Sequence, residues 1–106
     1  MQKLTTEELK SKVANGESFV VDFFATWCGP CKILMKNIEI MEGKTNKMPI
    51  YTFDIESDKE FAVNELGIRS VPTVKYFKGG QVVETKTGVQ TPDQLAESIR
   101  TNLSLV

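Results

Sequence analysis

Two cysteines and one aspartate are the residues of this 106-residue chain whose types and positions best suit chemistry. Cys28 and Cys31 are the only cysteines, and Asp22 interrupts the longest apolar run. The chain contains no histidine, which excludes histidine-based catalysis and leaves a zinc ion at most two soft ligands from one chain. Reactive chemistry therefore falls to thiols, carboxylates and the backbone, and no bound metal is expected.

The spacing of the cysteines predicts a redox-active pair. Cys28 and Cys31 stand at i and i+3 where a helical pattern begins, and free N–H groups and the helix dipole stabilise a thiolate there. Cys28 precedes the helix and can be exposed, so it is the expected nucleophile, with Cys31 one turn inside as the resolving thiol. Two alternatives remain open: a structural crosslink, although so small a ring contributes only about 2 kcal/mol, and a metal site shared between two chains.

Hydrophobic periodicity and capping signals predict four helices and four strands in a single domain, residues 1–106. The helices are expected at about residues 6–14, from the cysteines to Gly43, over residues 57–66, and from Pro92 onward. The strands are expected at residues 18–25, 50–55, 73–77 and 81–87, with a polar turn over 44–49. Capping boxes are predicted at Thr5–Glu8, Ser57–Glu60 and Thr91–Gln94. The inward-facing apolar side chains are expected to include Val13 and Ile33.

The order of these elements predicts an α/β fold with a mixed sheet and helices on both faces. Residues 18–25 lack polar alternation and are rich in β-branched and aromatic side chains, which is typical of a central strand. Two strand–helix–strand units should form parallel pairs, and the last two strands should add an antiparallel hairpin at the edge. Ligands of such sheets bind at the carboxyl ends of the parallel strands, where Trp27 and the cysteines lie.

Two segments carry a resemblance to a known family. Residues 21–32, VDFFATWCGPCK, resemble the active-site signature of the thioredoxin family, and residues 68–73, IRSVPT, resemble its cis-proline loop. Gly88 and the last helix follow at thioredoxin-like spacings, so the resemblance covers nearly the whole chain. It implies the thioredoxin fold, with a central mixed sheet of four strands flanked by four helices. Residues 2–4 could supply only a short fifth strand.

The resemblance also implies an activity, the reduction of disulfides in substrate proteins. No bound cofactor is implied beyond the redox-active Cys28–Cys31 disulfide. Re-reduction is expected from a thioredoxin reductase, which draws its electrons from NADPH or, in some organisms, from ferredoxin.

Further site residues follow from the resemblance together with physical argument. Asp22 is expected to be buried beneath the dithiol, with its pKa raised by desolvation, and to accept the Cys31 proton. Trp27 is expected in an exposed loop as part of a docking surface. Gly29 allows close approach of an incoming chain, and Pro30 suits the first helical turn.

The cis-proline loop is the other part of the implied substrate site. A cis bond between Val71 and Pro72 would direct the Val71 backbone towards an extended substrate segment, which would pair with it as an added strand. Gly88 would permit close approach from the neighbouring loop.

Three residues depart from the family pattern. Lys36 replaces a kinking proline, so the active-site helix should keep its backbone hydrogen bond at that turn. Thr52 stands where a lysine often neighbours the buried aspartate, so desolvation should dominate the pKa of Asp22. Phe24 replaces a common tryptophan.

The charge composition of the chain limits the classes of molecule that it is expected to bind. Basic and acidic residues number 13 and 14, with no basic stripe, so nucleic acids and membrane surfaces are poor candidates. No export signal or membrane span is recognised, and a cytoplasmic monomer acting on disulfide-containing proteins is expected. The alternative left open is a thioredoxin-fold binding or assembly subunit that works independently of thiol chemistry.

Overall fold

A five-stranded mixed sheet with helices on both faces organises the computed structural model, which describes residues 1–43 and 49–103. The strands are β1 (Gln2–Lys3), β2 (Phe19–Phe24), β3 (Ile50–Asp54), β4 (Thr73–Lys78) and β5 (Gln81–Thr87). The helices are α1 (Thr6–Ala14), α2 (Gly29–Gly43), α3 (Glu60–Glu65) and α4 (Pro92–Leu103). The predicted fold class is confirmed. In the turn predicted at 44–49, residues 44–48 lie outside the described residues.

The strand order β1-β3-β2-β4-β5 places β2 at the centre, as its apolar sequence predicts. Val20 faces α2 and α4, whereas Val21 and Phe23 face α1 and α3, so the strand is covered on both sides. β1 is the short fifth strand, and it pairs in parallel with β3 through two residues. The carboxyl ends of β2 and β3 lie side by side, and the two cysteines follow β2 at that edge of the sheet.

The prediction that a second strand–helix–strand unit forms a parallel pair is wrong. β2 and β3 are parallel neighbours across α2, but β4 runs antiparallel to β2, with Thr73 opposite Phe23. The helix between β3 and β4, α3, has only six residues, fewer than two turns, so it does not carry the chain back across the length of a strand. The chain therefore re-enters the sheet from the end at which β3 left it. This reversal brings residues 68–72 to the same edge as the cysteines.

Two cores hold the helices against the sheet. Leu34, Ile38 and Met41 of α2 pack with Leu95 and Ile99 of α4 on one face. On the other face, the side chains of α1 and α3 pack on the phenylalanines of the sheet; they are Leu9, Phe61 and Ala62.

Two side chains predicted to face inward are exposed. Ile33 is 57% exposed because consecutive helical residues point about 100° apart, and its neighbour Leu34 occupies the inward position. Val13 is 38% exposed at the margin of the α1 stripe, where it borders an open groove with Phe77.

Side-chain caps begin two of the helices as predicted. Thr5 and Glu8 form a reciprocal box at 3.1 and 2.8 Å, and Thr91 with Gln94 does the same at 3.1 and 2.9 Å. The box predicted at Ser57–Glu60 is wrong, because the carboxylate of Asp58 accepts the Phe61 N–H instead, at 3.2 Å. The Ser57 hydroxyl is directed back to the Asp54 carbonyl. The helix that follows is π-wound, with Leu66 N–H donating to Phe61 O at 3.0 Å.

A tight turn at Gly79–Gly80 joins β4 and β5, as the glycines predict. Both residues have positive φ, 61° and 80°, which is the requirement of a two-residue hairpin turn of type I′. The turn also packs against the end of α1, since a Cβ on Gly80 would collide with the Val13 carbonyl oxygen. Among the described helices, none combines the length and apolar composition that crossing a membrane requires.

Candidate active site

The two cysteines form a disulfide at the start of α2. Cys28 immediately precedes the helix and Cys31 lies in its first turn, with 5.3 Å between their Cα atoms. Apolar side chains surround the pair: Ala25 is buried with it, and Phe24, Ile55 and Val71 pack alongside. The disulfide sits at the carboxyl ends of β2 and β3, where open sheets of this kind bind their ligands.

A hydrogen bond distinguishes the two sulfurs. The backbone N–H of Cys31 donates to Sγ of Cys28 at 3.1 Å, so this sulfur occupies the place of a helix N-cap acceptor. The same N–H and the helix dipole would stabilise negative charge on Cys28 when the disulfide opens. Cys31 is inside the helix and has no equivalent donor directed at its sulfur among the described residues.

Cys28 is less accessible than the sequence suggested. It is 4% exposed, against 1% for Cys31, so the difference expected between the two sulfurs is small in the disulfide form. Cys28 is buried in the apolar cluster that also contains Ala25 and Cys31, with Ile55 and Val71 packed against it. A partner disulfide must therefore approach along a narrow line, which makes the surface around Cys28 important for the reaction.

Asp22 is a fully buried carboxyl group with no counter-charge at hand. Neither of its oxygens has a hydrogen-bond partner among the described residues. Its cross-strand neighbours are Thr52 and Val74, which carry no charge. Burial raises the pKa of Asp22 from 3.8 to about 7. The expectation that desolvation dominates at this residue agrees with that shift.

Trp27 lies in the exposed loop between β2 and α2, with 68% of its surface accessible. It borders a groove of about 190 Å³ whose other walls include Ile55, Arg69 and Val71. An exposed indole beside an apolar groove is the type of surface that proteins use to anchor a partner.

The proline loop and the loop after β5 meet beside the disulfide. The Val71–Pro72 peptide bond is cis, as the resemblance implies. Gly88 has a φ of 83°, and its N–H donates to the Pro72 carbonyl at 2.9 Å. No described residue pairs with the backbone N–H or C=O of Val71. The structure thus brings Val71, Pro72 and Gly88 together at one edge of the site.

The residues that depart from the family pattern also have defined places. Phe24 packs against the cysteines and, with Met35, lines a cavity of about 230 Å³ that reaches Cys31. Lys36 is exposed on α2, which runs as one continuous helix from Gly29 to Gly43. Thr52 lies opposite Asp22 in the sheet.

Sequence reasoning missed two polar residues beside the site, Asn37 and Gln90. The Asn37 amide on α2 donates to the Gln90 carbonyl at 2.9 Å, and the Gln90 amide donates to the Gly88 carbonyl. No local pattern marks this contact, because the Asn37 side chain and the Gln90 backbone carbonyl are 53 positions apart in the sequence. In the described part of the chain, no group of three or more cysteine, aspartate or glutamate side chains is arranged to hold a metal ion.

Comparisons with known proteins agree with the geometry. The family model for thioredoxin matches residues 1–101. Thioredoxin of Rickettsia prowazekii is 33% identical over 105 residues, which span 97% of this chain and 99% of the relative. Mitochondrial thioredoxin of Mus musculus is 40% identical over 90 residues, 83% of this chain and 54% of the relative. The solved structure of a mutant thioredoxin from Halobacterium salinarum superposes with a TM-score of 0.80 at 29% identity, covering 99% of this chain and 94% of that one.

The family match extends over nearly the whole chain, and the cysteine pair is present and able to form its disulfide. A dithiol that closes and opens in this way carries two electrons between proteins. The chain therefore belongs to the thioredoxin family and is a thiol–disulfide oxidoreductase that reduces protein disulfides.

Proposed function

We propose that Cys28 is the attacking thiol, Cys31 the resolving thiol and Asp22 the acceptor of the Cys31 proton. The observation that carries the assignment of the two cysteines is the hydrogen bond from the Cys31 N–H to the Cys28 sulfur at the start of α2. It favours charge on Cys28 over charge on Cys31, and the thiolate is the form that attacks a disulfide.

The proposed reaction transfers two electrons from the dithiol to the substrate. The Cys28 thiolate attacks one sulfur of the substrate disulfide, a mixed disulfide forms, and the other substrate sulfur leaves as a thiolate that takes a proton from water. Cys31 then loses its proton and attacks Cys28, which breaks the mixed disulfide. The substrate is released with both sulfurs reduced, and the Cys28–Cys31 disulfide is restored.

Asp22 supports the second step by accepting the Cys31 proton, directly or through water. With its pKa raised by burial to about 7, a large share of the carboxyl is ionised at neutral pH and can take up a proton. An aspartate with an ordinary pKa would be a much weaker base.

Substrate binding is proposed at the surface formed by Trp27, Val71, Pro72 and Gly88. An extended segment beside the substrate disulfide would pair with the free backbone groups of Val71 as an added strand. Trp27 and the groove beside it would receive an apolar side chain of the same substrate. Docking has to supply much of the rate, since a lower thiol pKa also reduces the nucleophilicity of the thiolate.

The cycle is completed, in this proposal, by a thioredoxin reductase that draws electrons from NADPH or ferredoxin. The proposed setting is the cytoplasm, because a protein-reducing cycle needs a compartment in which the dithiol form is regenerated. The protein is proposed to work there as a monomer. The reductase and the compartment are tested by measuring reduction of the Cys28–Cys31 disulfide in extracts fractionated by compartment, with each reductase system added separately.

Insulin reduction, coupled to candidate reductases, tests the assignment of the cysteines. Cys28→Ser should abolish turnover and form no mixed disulfide, whereas Cys31→Ser should accumulate a mixed disulfide with the substrate through Cys28. Non-reducing electrophoresis with mass spectrometry identifies the linked cysteine. A mixed disulfide formed through Cys31 in the Cys28→Ser variant would reverse the roles.

A further inference from the structure

We infer that Asn37 and Gln90 are positioning residues for disulfide exchange, which hold the Gly88 and Pro72 backbone in place relative to the helix that carries Cys31. The inference rests on the proposed function, in which Gly88 and the proline loop contact the substrate. It concerns side chains that touch neither the sulfurs nor the substrate.

Three hydrogen bonds in series link α2 to the substrate-facing backbone. The Asn37 amide donates to the Gln90 carbonyl at 2.9 Å, the Gln90 amide donates to the Gly88 carbonyl, and the Gly88 N–H donates to the Pro72 carbonyl at 2.9 Å. We call Asn37, Gln90, Gly88 and Pro72 the polar bridge. It joins three segments that are far apart in the sequence: α2, the loop after β5 and the loop before β4.

The burial of Gln90 argues that stability alone does not explain its amide. Gln90 is 6% exposed, and its Oε1 atom has no hydrogen-bond partner among the described residues. A buried acceptor without a partner destabilises the folded state, and an apolar side chain of similar size would avoid that loss. The amide does supply one directed contact, its N–H on the Gly88 carbonyl.

Both backbone polar groups of Gly88 are held by the polar bridge, one by Gln90 and the other by Pro72. Gly88 has a positive φ, which glycine adopts readily, and it has no side chain that could fix the loop by packing. The Gly88 N–H bond continues the β4–β5 pairing, in which Thr73 lies opposite Thr87, and the Asn37–Gln90 bond links this loop to α2. A displacement of about 1 Å from productive geometry can reduce a rate by up to about a hundredfold.

The bridge should matter for protein substrates and not for small disulfides. A protein segment that lies along Val71 and Gly88 senses the position of both loops, whereas a small aromatic disulfide needs only access to Cys28. The ratio of the two rates therefore separates positioning from a general loss of structure.

The test uses variants that keep size and burial but remove the amide donors. Gln90→Met and Asn37→Leu are compared with Gln81→Met and Asn64→Leu, which make the same changes at exposed positions. Each protein is assayed for kcat and KM with insulin, for its rate with 5,5′-dithiobis(2-nitrobenzoate), for its thermal midpoint, and for amide hydrogen exchange at Gly88 and Val74.

The expected result is a loss of about tenfold in kcat/KM for insulin in either bridge variant, with the small-disulfide rate unchanged within about twofold. The thermal midpoint of Gln90→Met should stay close to that of the wild type, because loss of the unpartnered Oε1 acceptor offsets loss of the amide donor to the half-buried Gly88 carbonyl. Amide hydrogen exchange in the bridge variants should be faster than in the wild type at Gly88 and unchanged at Val74. The two control variants should match the wild type.

Two results would overturn the inference: unchanged insulin kinetics in both bridge variants, or equal losses with both substrates accompanied by a lower thermal midpoint. The proposed function is judged separately, by the wild type and Cys28→Ser in the same insulin assay. If those two behave as proposed while Gln90→Met matches the wild type, only the role of the polar bridge is wrong.

Discussion

Asp22 is the one aspartate or glutamate among the described residues whose side chain is buried. Its carboxyl group is buried between Thr52 and Val74, with no opposite charge on either neighbouring strand position. The pKa is therefore raised by desolvation and is not lowered by a partner. Two measurable consequences follow, one for the rate of a reaction step and one for stability.

The kinetic consequence concerns the second step of exchange. Asp22→Asn removes the proton acceptor, so resolution of the mixed disulfide should slow by about a hundredfold or more, while its formation changes little. Rapid-quench trapping of the mixed disulfide separates the two rates. Equal slowing of both steps would remove Asp22 from the proton-transfer role.

The stability consequence has a definite sign. Between about pH 4 and 7 the folded protein retains a proton on Asp22 that the unfolded chain has released, so rising pH should favour unfolding. The shift from 3.8 to about 7 corresponds to roughly 4 kcal/mol of lost stability once the carboxyl is ionised in both states. Below about pH 4 the penalty is absent.

Urea unfolding of the oxidised protein from about pH 4 to about pH 8 measures this dependence. Asp22→Asn should lack this part of the pH dependence and be more stable than the wild type above about pH 7. Asp93→Asn, at an exposed position on α4, is the matched control and should keep this pH dependence. Wild-type and Asp22→Asn curves of the same shape would contradict a raised pKa.

At the scale of the elements, the β4–β5 hairpin depends on contact with α1. Gly79 and Gly80 share a positive φ, but only at Gly80 would a Cβ meet a neighbour, the backbone carbonyl of Val13. The two glycines therefore separate conformational strain from steric collision within one turn.

Alanine substitutions should reveal that difference. Gly79→Ala should reduce the free energy of unfolding by about 1 kcal/mol, from the left-handed backbone alone. Gly80→Ala should reduce it by about 3 kcal/mol or more, since the turn or the end of α1 must also move. Urea titration of both variants measures the two losses, and equal losses would show that the collision is relieved without cost.

At the scale of the whole molecule, folding and redox state are nearly independent. The two apolar cores lie on opposite faces of the sheet, and among the described residues each contains ten that are buried. The disulfide closes a ring of only four residues and belongs to neither core. A protein that must be stable as both dithiol and disulfide needs this separation, because the bond opens in every cycle.

Reduction should therefore leave the fold intact. The free energy of unfolding should fall by only about 2 kcal/mol on reduction, the loop-closure contribution of so short a ring. Urea titration with and without dithiothreitol measures the difference, with the Cys28→Ser, Cys31→Ser variant as the permanently open control. Loss of the folded state on reduction would give the disulfide a structural role.

Full function of the Cys28→Ser, Cys31→Ser variant in cells would favour an assembly role independent of thiol chemistry.

Much of the fold was predictable because its signals are short-ranged. The caps at Thr5 and Thr91, the glycine turn and the apolar run of β2 each depend on residues within one element. The cysteine pair is equally local, since three residues and a helix start define it. The errors at Ser57 and Ile33 are local too. In each case the next residue along the chain, Asp58 or Leu34, takes the predicted place as helix cap or as inward-facing side chain.

The sequence by itself determined that this chain has four helices, a central buried strand and a reactive dithiol at a helix start, because backbone preferences and hydrophobic periodicity act between near neighbours. Only the tertiary structure decided that β4 runs antiparallel, that Cys28 is nearly covered, and that Asn37 meets Gln90. These features depend on how far a short helix reaches and on which distant side chains share a buried space. Packing settles such questions for the whole chain at once, and no short stretch of sequence records the answer.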